Sequence, residues 1–144
     1  MNLQDCIKFA TENPACFVAT AEGDQPRVRT FLMWFADETG FYFATLSPKQ
    51  VSKQLKANDK VEVCFFNHAQ DIMAARQLRV TGTMERLNDE ALVKKIAAER
   101  AGLEQVAGQP LGPLTEVFRI SSGVAHFWTM MDVLKEPSLE RIRF

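Results

Sequence analysis

Gln25-Pro26-Arg27-Val28-Arg29-Thr30-Phe31-Leu32-Met33-Trp34-Phe35 runs through Ala36-Asp37-Glu38-Thr39-Gly40 into Phe41-Tyr42-Phe43-Ala44-Thr45-Leu46, and from there into Ser47-Pro48-Lys49-Gln50-Val51-Ser52-Lys53-Gln54-Leu55-Lys56-Ala57-Asn58. Gln25-Pro26 is a turn signal. Arg27 to Phe35 is rich in β-branched and aromatic residues and predicts a strand, with Arg27 and Arg29 two apart and so on one face. Asp37 to Gly40 predicts a turn and Phe41 to Thr45 a second strand. Hairpin-linked strands leave no room for crossover helices, so the sheet is expected to be antiparallel.

The helix that follows starts in an unusual way. Ser47 suits an N-cap, Pro48 the first helical position, and Gln50 the reciprocal place of a capping box. Yet its first turn carries Lys49 and no acid, with Lys53 one turn on, where exposed N–H groups and the helix dipole favour negative charge. Two readings follow: an anion such as a phosphate sits on this turn, or the lysines form a solvated face.

Outward from this unit, Asn2 caps a predicted helix from Leu3 to Thr11, ended by Asn13-Pro14, and Ala15 to Ala21 reads as a strand. Lys60 to Phe66 alternates as a half-buried strand should, and Asn67 to Ala75 is a connection. Gln77 to Leu87 reads as one strand. Asn88-Asp89-Glu90 then starts a helix to Arg100, with Leu92, Val93 and Ile96 inward and Gly102 as its stop. After the broken stretch Gly108 to Pro113, Thr115 to Ile120 and Val124 to Met130 read as a last antiparallel pair around Ser121-Ser122-Gly123. The expectation is a mostly β, single-domain chain over residues 1–144: a small antiparallel barrel with short peripheral helices.

Composition narrows the function. With 17 basic and 18 acidic side chains the net charge is −1, which gives no general surface for nucleic acid or an anionic membrane. The basic cluster of Arg27, Arg29, Lys49 and Lys53 is local and suits a small anion. Cys6, Cys16 and Cys64 are odd in number and lack zinc-ligand spacing, so they are expected as reduced thiols with no metal site. No apolar stretch is long enough to span a bilayer and the polar N-terminus is unlike a signal peptide, so the expected location is cytoplasmic. No nucleophile with a base, and no carboxylate pair, stands at useful spacing, so any redox or group-transfer chemistry falls to a cofactor.

The order Gly-Asp-x-Pro-Arg-x-Arg at Gly23 to Arg29, Gly-x-x-Phe-x-Thr at Gly40 to Thr45, then Lys49, Lys53-Gln54-Leu55 and Asn58, resembles the FMN-binding split barrels related to pyridoxamine 5'-phosphate oxidase. Arg76-Gln77-Leu78-Arg79-Val80-Thr81-Gly82, followed by Glu85-Arg86-Leu87, is similar to a further strand of that family. The resemblance implies a split β-barrel that binds FMN between the two subunits of a homodimer. It implies Arg29 and Lys49 as phosphate ligands, with Ser47, Gln50 and Lys53 in support, Arg27 nearby and Thr30 beside them. Thr45 would approach the flavin ring through its backbone, Gln77 would lie near the flavin, and Trp128 would reach across the dimer. The plainer readings are an exposed strand edge for the arginines, a cross-strand partner for Gln77, an interior aromatic for Trp128, and structural or surface roles for His68 and His126.

Large apolar groups on both faces of the Arg27 to Phe35 strand agree with cover by a second subunit. Three departures from the oxidase itself stand out: Trp34 replaces a lysine, Val51 replaces a lysine in the helix, and the ending Leu139 to Phe144 lacks the tryptophan and terminal proline. They imply a general family member without recognition of a phosphorylated vitamin. The function expected is an FMN-dependent oxidoreductase acting on an unidentified small molecule. Its alternatives are a flavin-binding or sensing module without turnover and a cofactor-free interaction barrel.

Overall fold

The computed structural model describes residues 1–144. Its elements are α1 (Leu3–Glu12), β1 (Ala15–Glu22), β2 (Gln25–Leu32), β3 (Phe35–Asp37), β4 (Gly40–Leu46), α2 (Gln50–Ala57), β5 (Lys60–Phe66), β6 (Arg76–Thr83), β7 (Glu85–Leu87), α3 (Glu90–Glu99), α4 (Gly102–Ala107), β8 (Thr115–Ile120), β9 (Gly123–Thr129) and β10 (Ile142–Arg143). Six strands form one sheet in the order β10-β9-β6-β5-β1-β2, and four form another in the order β3-β4-β8-β7. All pairings are antiparallel. The fold is the expected small split barrel.

Alternation sets the barrel wall. Val18, Val63, Val80 and Ala125 stand in register across β1, β5, β6 and β9, and all four are fully buried. Phe41 and Phe43 of β4 close the core from the other sheet, with Phe43 set edge-on against Phe31. Burying each such ring contributes about 1.5–3 kcal/mol. Gly40 holds φ at +137°, and a Cβ there would lie 2.4 Å from the Ile120 carbonyl oxygen, so the turn into β4 requires glycine.

The chain crosses between sheets where the sequence read as continuous strand. The expected strand from Arg27 to Phe35 breaks after Leu32: the Met33 N–H turns to the Pro14 carbonyl (2.9 Å), and the Trp34 N–H bonds Tyr42 in the second sheet (2.9 Å). The expected strand from Gln77 to Leu87 breaks likewise at Met84, whose N–H bonds the Asp59 carbonyl (2.8 Å). Both methionine side chains are buried in the same core, so the apolar pattern runs through both corners without marking them. Truncating either to Ala should cost about 2–5 kcal/mol.

Two further readings need correction. β8 and β9 do not pair with each other; Ser121-Ser122 carries the chain from the four-stranded sheet to the six-stranded one. Gly102 does not stop the helical segment but begins α4, while Gly108, at φ +69°, ends it. Asn2 does cap α1, in a box with Asp5, and Asp89 caps α3. Burial raises the thiols of Cys6 and Cys16 to about 11 and about 12, so both stay protonated in the core, and Cys64 is half-buried.

Candidate functional site

The two arginines share the inward face of β2, as alternation requires: Arg29 stands opposite Val18 and Arg27 opposite Thr20. Beyond the barrel's edge that face meets α2, which packs on β1, and the side chains form a connected polar corner. The Arg29 guanidinium donates from Nη1 to Thr20 Oγ1 (2.7 Å) and to the Val18 carbonyl (3.2 Å), and from Nη2 to Gln54 Oε1. Gln54 Nε2 donates to Glu22 Oε2 (3.0 Å), and Glu22 pairs with Arg27 at 3.1 Å. Hydrogen bonds from Gln54 and then Arg27 hold the Glu22 carboxyl below its usual range.

Arg29 differs from Arg27 in one decisive respect. Its acceptors are all neutral, and no carboxylate pairs with it at contact distance, although it is half-buried. Burial, with repulsion from Arg27, holds its pKa below the ordinary value. A desolvated cation without a counter-ion is an anion seat. Glu22, Arg27, Val28, Arg29, Gln50 and Gln54 line an open cleft of about 450 Å³ over it, within the size range of cofactor sites.

The start of α2 corrects the sequence reading. The helix begins at Gln50, Lys49 is the capping position, and no side chain caps it. Ser47 and Pro48 form a tight turn instead, because the Ser47 N–H is taken by the Leu114 carbonyl (2.8 Å) and the Lys49 N–H by Leu46 (3.0 Å). A capping box therefore does not form. The first turn of α2 still contains no acid, and Gln50 at its start lines the cleft. Lys49 lies over the Phe31 ring at 5.9 Å, and Lys53 is exposed, as is Thr30.

Thr45, next to last in β4, stands opposite Glu116, and its hydroxyl is buried without a partner. Glu116, itself buried, accepts from Ser52 Oγ and approaches Arg86 Nε at 3.1 Å. The Glu116 side chain thereby ties α2 to β8 of the four-stranded sheet.

Gln77 and Trp128 fall elsewhere. They are directly opposed on β6 and β9, on the outer face of the six-stranded sheet, and line a shallow depression with Arg79 and Glu136. Three strand spacings, about 14 Å, separate β6 from β2 in the sheet, so one chain does not bring this pair to the arginines. Toward its β2 edge this outer face exposes large apolar groups: Phe17, Val28 and Leu32 are 39%, 70% and 58% exposed. His126, also on β9, is buried with its pKa lowered, mainly by burial and then by Arg141 and Arg79, which fits the structural role. His68 is exposed and contacts the Ala15 carbonyl.

Sequence reading missed three members of the corner. Gln54 stood in the quoted pattern without a role, and Thr20 and Glu22 carried no signal, because their meeting with Arg29 depends on how α2 lies against β1.

The comparisons with known proteins agree with this architecture. The family model described as pyridoxamine 5'-phosphate oxidase matches residues 3–129, and the chain belongs to that family. The pyridoxine/pyridoxamine 5'-phosphate oxidase of Brucella canis is 30% identical over 129 residues, covering 87% of this chain and 62% of that protein. The chain thus spans about three fifths of the length of the oxidases it matches. Among solved structures, a NimC/NimA family protein of Clostridium acetobutylicum superposes with a TM-score of 0.74 at 23% identity, covering 99% of this chain and 92% of its own. A protein of Mesorhizobium loti described as FAD-binding superposes with a TM-score of 0.63 at 22% identity, covering 84% and 87%. No helix is long and apolar enough to cross a membrane.

Proposed function

We propose that the chain is an FMN-binding flavoprotein that works as a homodimer and carries out flavin-dependent redox chemistry on a small molecule. The observation that carries this reading is Arg29: a half-buried guanidinium with neutral acceptors only, under a cleft bordered by the acid-free start of α2. One phosphate group completes that arrangement. FMN is favoured over FAD because the corner offers one clamp and the sequence has no dinucleotide-type glycine turn after a strand.

On this reading Arg29 holds the phosphate, with Arg27, Lys49 and Gln50 around it and Ser47 and Lys53 at the margin. Thr45 would approach the ring through its backbone, and Thr30, exposed on the outer face of β2, stands on the side toward the second copy. Gln77 and Trp128 of a second copy close the other side, which accounts for their distance from the arginines of their own chain. The exposed Phe17, Val28 and Leu32 face supports the same assembly, since a patch of this kind is ordinarily an interface. Bound FMN would supply the hydride transfer. The protein's part is to seat the phosphate and exclude water; Glu22, held ionised by Gln54 and Arg27, is no proton donor near neutral pH.

Denaturing the purified protein and chromatographing the supernatant tests the cofactor: FMN is the expected product, while FAD, haem, or failure to take up added FMN counts against the assignment. A second reading, a flavin-binding or sensing module without turnover, draws support from the absence of a free acid or base lining the cleft. Anaerobic reduction by NADH or NADPH followed by reoxidation with candidate acceptors separates the two, since only an enzyme cycles.

A further inference from the structure

At the end of the six-stranded sheet opposite to β2, where β10, β9 and β6 meet α1, lies a cavity of about 440 Å³. Its apolar wall is Phe127, Leu139 and Ile142, and Phe127 and Ile142 belong to the buried core. Arg76, the first residue of β6, stands on this wall with its guanidinium carbon 4.2 Å from the centre of the Phe127 ring and 5.5 Å from that of Phe9. Stacking of this kind orients the guanidinium plane. It does not answer the charge. Half-buried Arg76 pairs with no carboxylate, and its one side-chain hydrogen bond runs from Nη2 to the Met1 sulfur at 3.1 Å, a weak acceptor. Arg79, three residues on, shows the alternative: it pairs with Glu62 and Glu136, both at 2.6 Å.

Two carboxylates border the same cavity, and neither pairs with Arg76. Glu140 takes the N-terminal ammonium at 3.1 Å. Asp132 accepts the Thr129 N–H (2.9 Å) and hydroxyl (2.8 Å), both at Oδ2, which leaves Oδ1 without a donor and the carboxylate without a cation. The cavity therefore combines one unanswered positive charge, one unanswered negative charge and an apolar wall. A simple anion would satisfy Arg76 but be repelled by Asp132, and an amine would meet the reverse. A zwitterion satisfies both.

We propose that this cavity binds a free α-amino acid with an apolar side chain, its carboxylate on the Arg76 guanidinium, its ammonium at Asp132 and its side chain against Phe127, Leu139 and Ile142. The volume, about 440 Å³, lies within the range of small-molecule sites. No lining residue is shared with the proposed flavin site. Phe127 faces the core side of the six-stranded sheet and Arg76 stacks on it there, whereas Gln77 and Trp128, their neighbours in sequence, lie on the outer face. The proposal thus does not rest on the flavin reading.

The test is calorimetric titration of the full chain with L-leucine, with isocaproate, which lacks the ammonium, and with isoamylamine, which lacks the carboxylate, each with and without added FMN. Leucine should bind at one site per chain and at least tenfold more tightly than either fragment. Arg76→Gln should weaken leucine about ten- to hundredfold and leave isoamylamine unchanged. Asp132→Asn, which keeps an acceptor for Thr129, should weaken leucine about tenfold and leave isocaproate no weaker. Arg76→Lys should recover part of the Arg76→Gln loss, and Leu139→Trp, which fills the cavity with both charges in place, should weaken all three probes. No leucine binding at millimolar concentration, equal affinity for leucine and the fragments, or leucine binding untouched by Arg76→Gln overturns the proposal. So does an Arg76→Gln protein that loses all three probes alike, since that marks Arg76 as structural, and so does stoichiometric displacement of leucine by FMN. A protein that takes no FMN but passes the leucine tests would sink the flavin reading and leave this one standing.

Discussion

The arginine corner and the outer face of the six-stranded sheet would carry the two halves of the proposed flavin site, and they are finished to different degrees. In the corner, Arg27, Glu22, Gln54, Arg29 and Thr20 bond to one another, and only the charge of Arg29 lacks an answer. On the outer face Gln77 and Trp128 oppose each other on β6 and β9, and Phe17, Val28 and Leu32 lie exposed toward the β2 edge. A region that satisfies its own hydrogen bonds can wait for a ligand. One that exposes large apolar groups waits for a protein surface.

The strongest way to break this contrast is to make the outer face unable to pair. Leu32→Asp, away from the cleft that Val28 lines, changes a side chain that is already largely in water, so the monomer should fold with little change in stability. Sedimentation at micromolar concentration should then shift from dimer to monomer, and FMN affinity should fall by roughly a hundredfold or more, about 2.7 kcal/mol. A monomer that keeps full affinity would mean that the corner is a complete site alone.

Next in size is the corner itself. Arg29→Ala removes one charge-assisted contact and should weaken FMN about ten- to hundredfold. It also strips donors from Thr20 and Gln54, each 5% exposed, so melting should report a loss of roughly 1–3 kcal/mol. Unchanged affinity alongside that stability loss would make Arg29 a purely structural residue.

These residues also show how far the sequence could be read. Alternation was enough to put both arginines on one face and to mark Lys60 to Phe66 as a half-buried strand, because such a strand writes its burial into every second residue. It could not show where the chain changes sheets. Met33 and Met84 are apolar like their neighbours, and what breaks the strands is a carbonyl offered by Pro14 or Asp59 from another part of the fold. Ser47 failed for a related reason: its capping pattern is locally sound, but the Leu114 carbonyl claims its N–H and shifts the helix start to Gln50. Of the site, the cations were legible as a local excess of charge. Thr20, Glu22 and Gln54, which decide that Arg29 and not Arg27 is left without a counter-ion, were not.

A mixed-subunit experiment sharpens the comparison further. Gln77→Ala alone should weaken FMN only about fivefold, the worth of one neutral hydrogen bond. If the halves come from different chains, mixing Arg29→Ala subunits with Gln77→Ala subunits produces heterodimers in which one of the two sites is intact. The mixture should then regain high-affinity FMN sites that neither variant has alone. A mixture no better than the average of its parents would place both residues in the same chain's site.

The smallest effect is expected at Lys53, and its smallness is informative. Lys53 follows Lys49 by one turn of α2, but it is exposed and makes no ion pair, whereas Arg29 is half-buried. A solvated ammonium acts on a phosphate only through screened Coulomb attraction, worth a few tenths of a kcal/mol to about 1. Lys53→Ala should therefore weaken FMN less than about threefold at low ionic strength. That difference should vanish near ~1 M salt, where the screening length shrinks to about 3 Å. The Arg29→Ala deficit should persist under the same conditions, because a contact made inside the corner is shielded from salt. If Lys53→Ala instead matched Arg29→Ala and survived high salt, the phosphate would sit on the exposed face of α2. The arginine row would then be the protective strand edge that its position at the end of the sheet also allows.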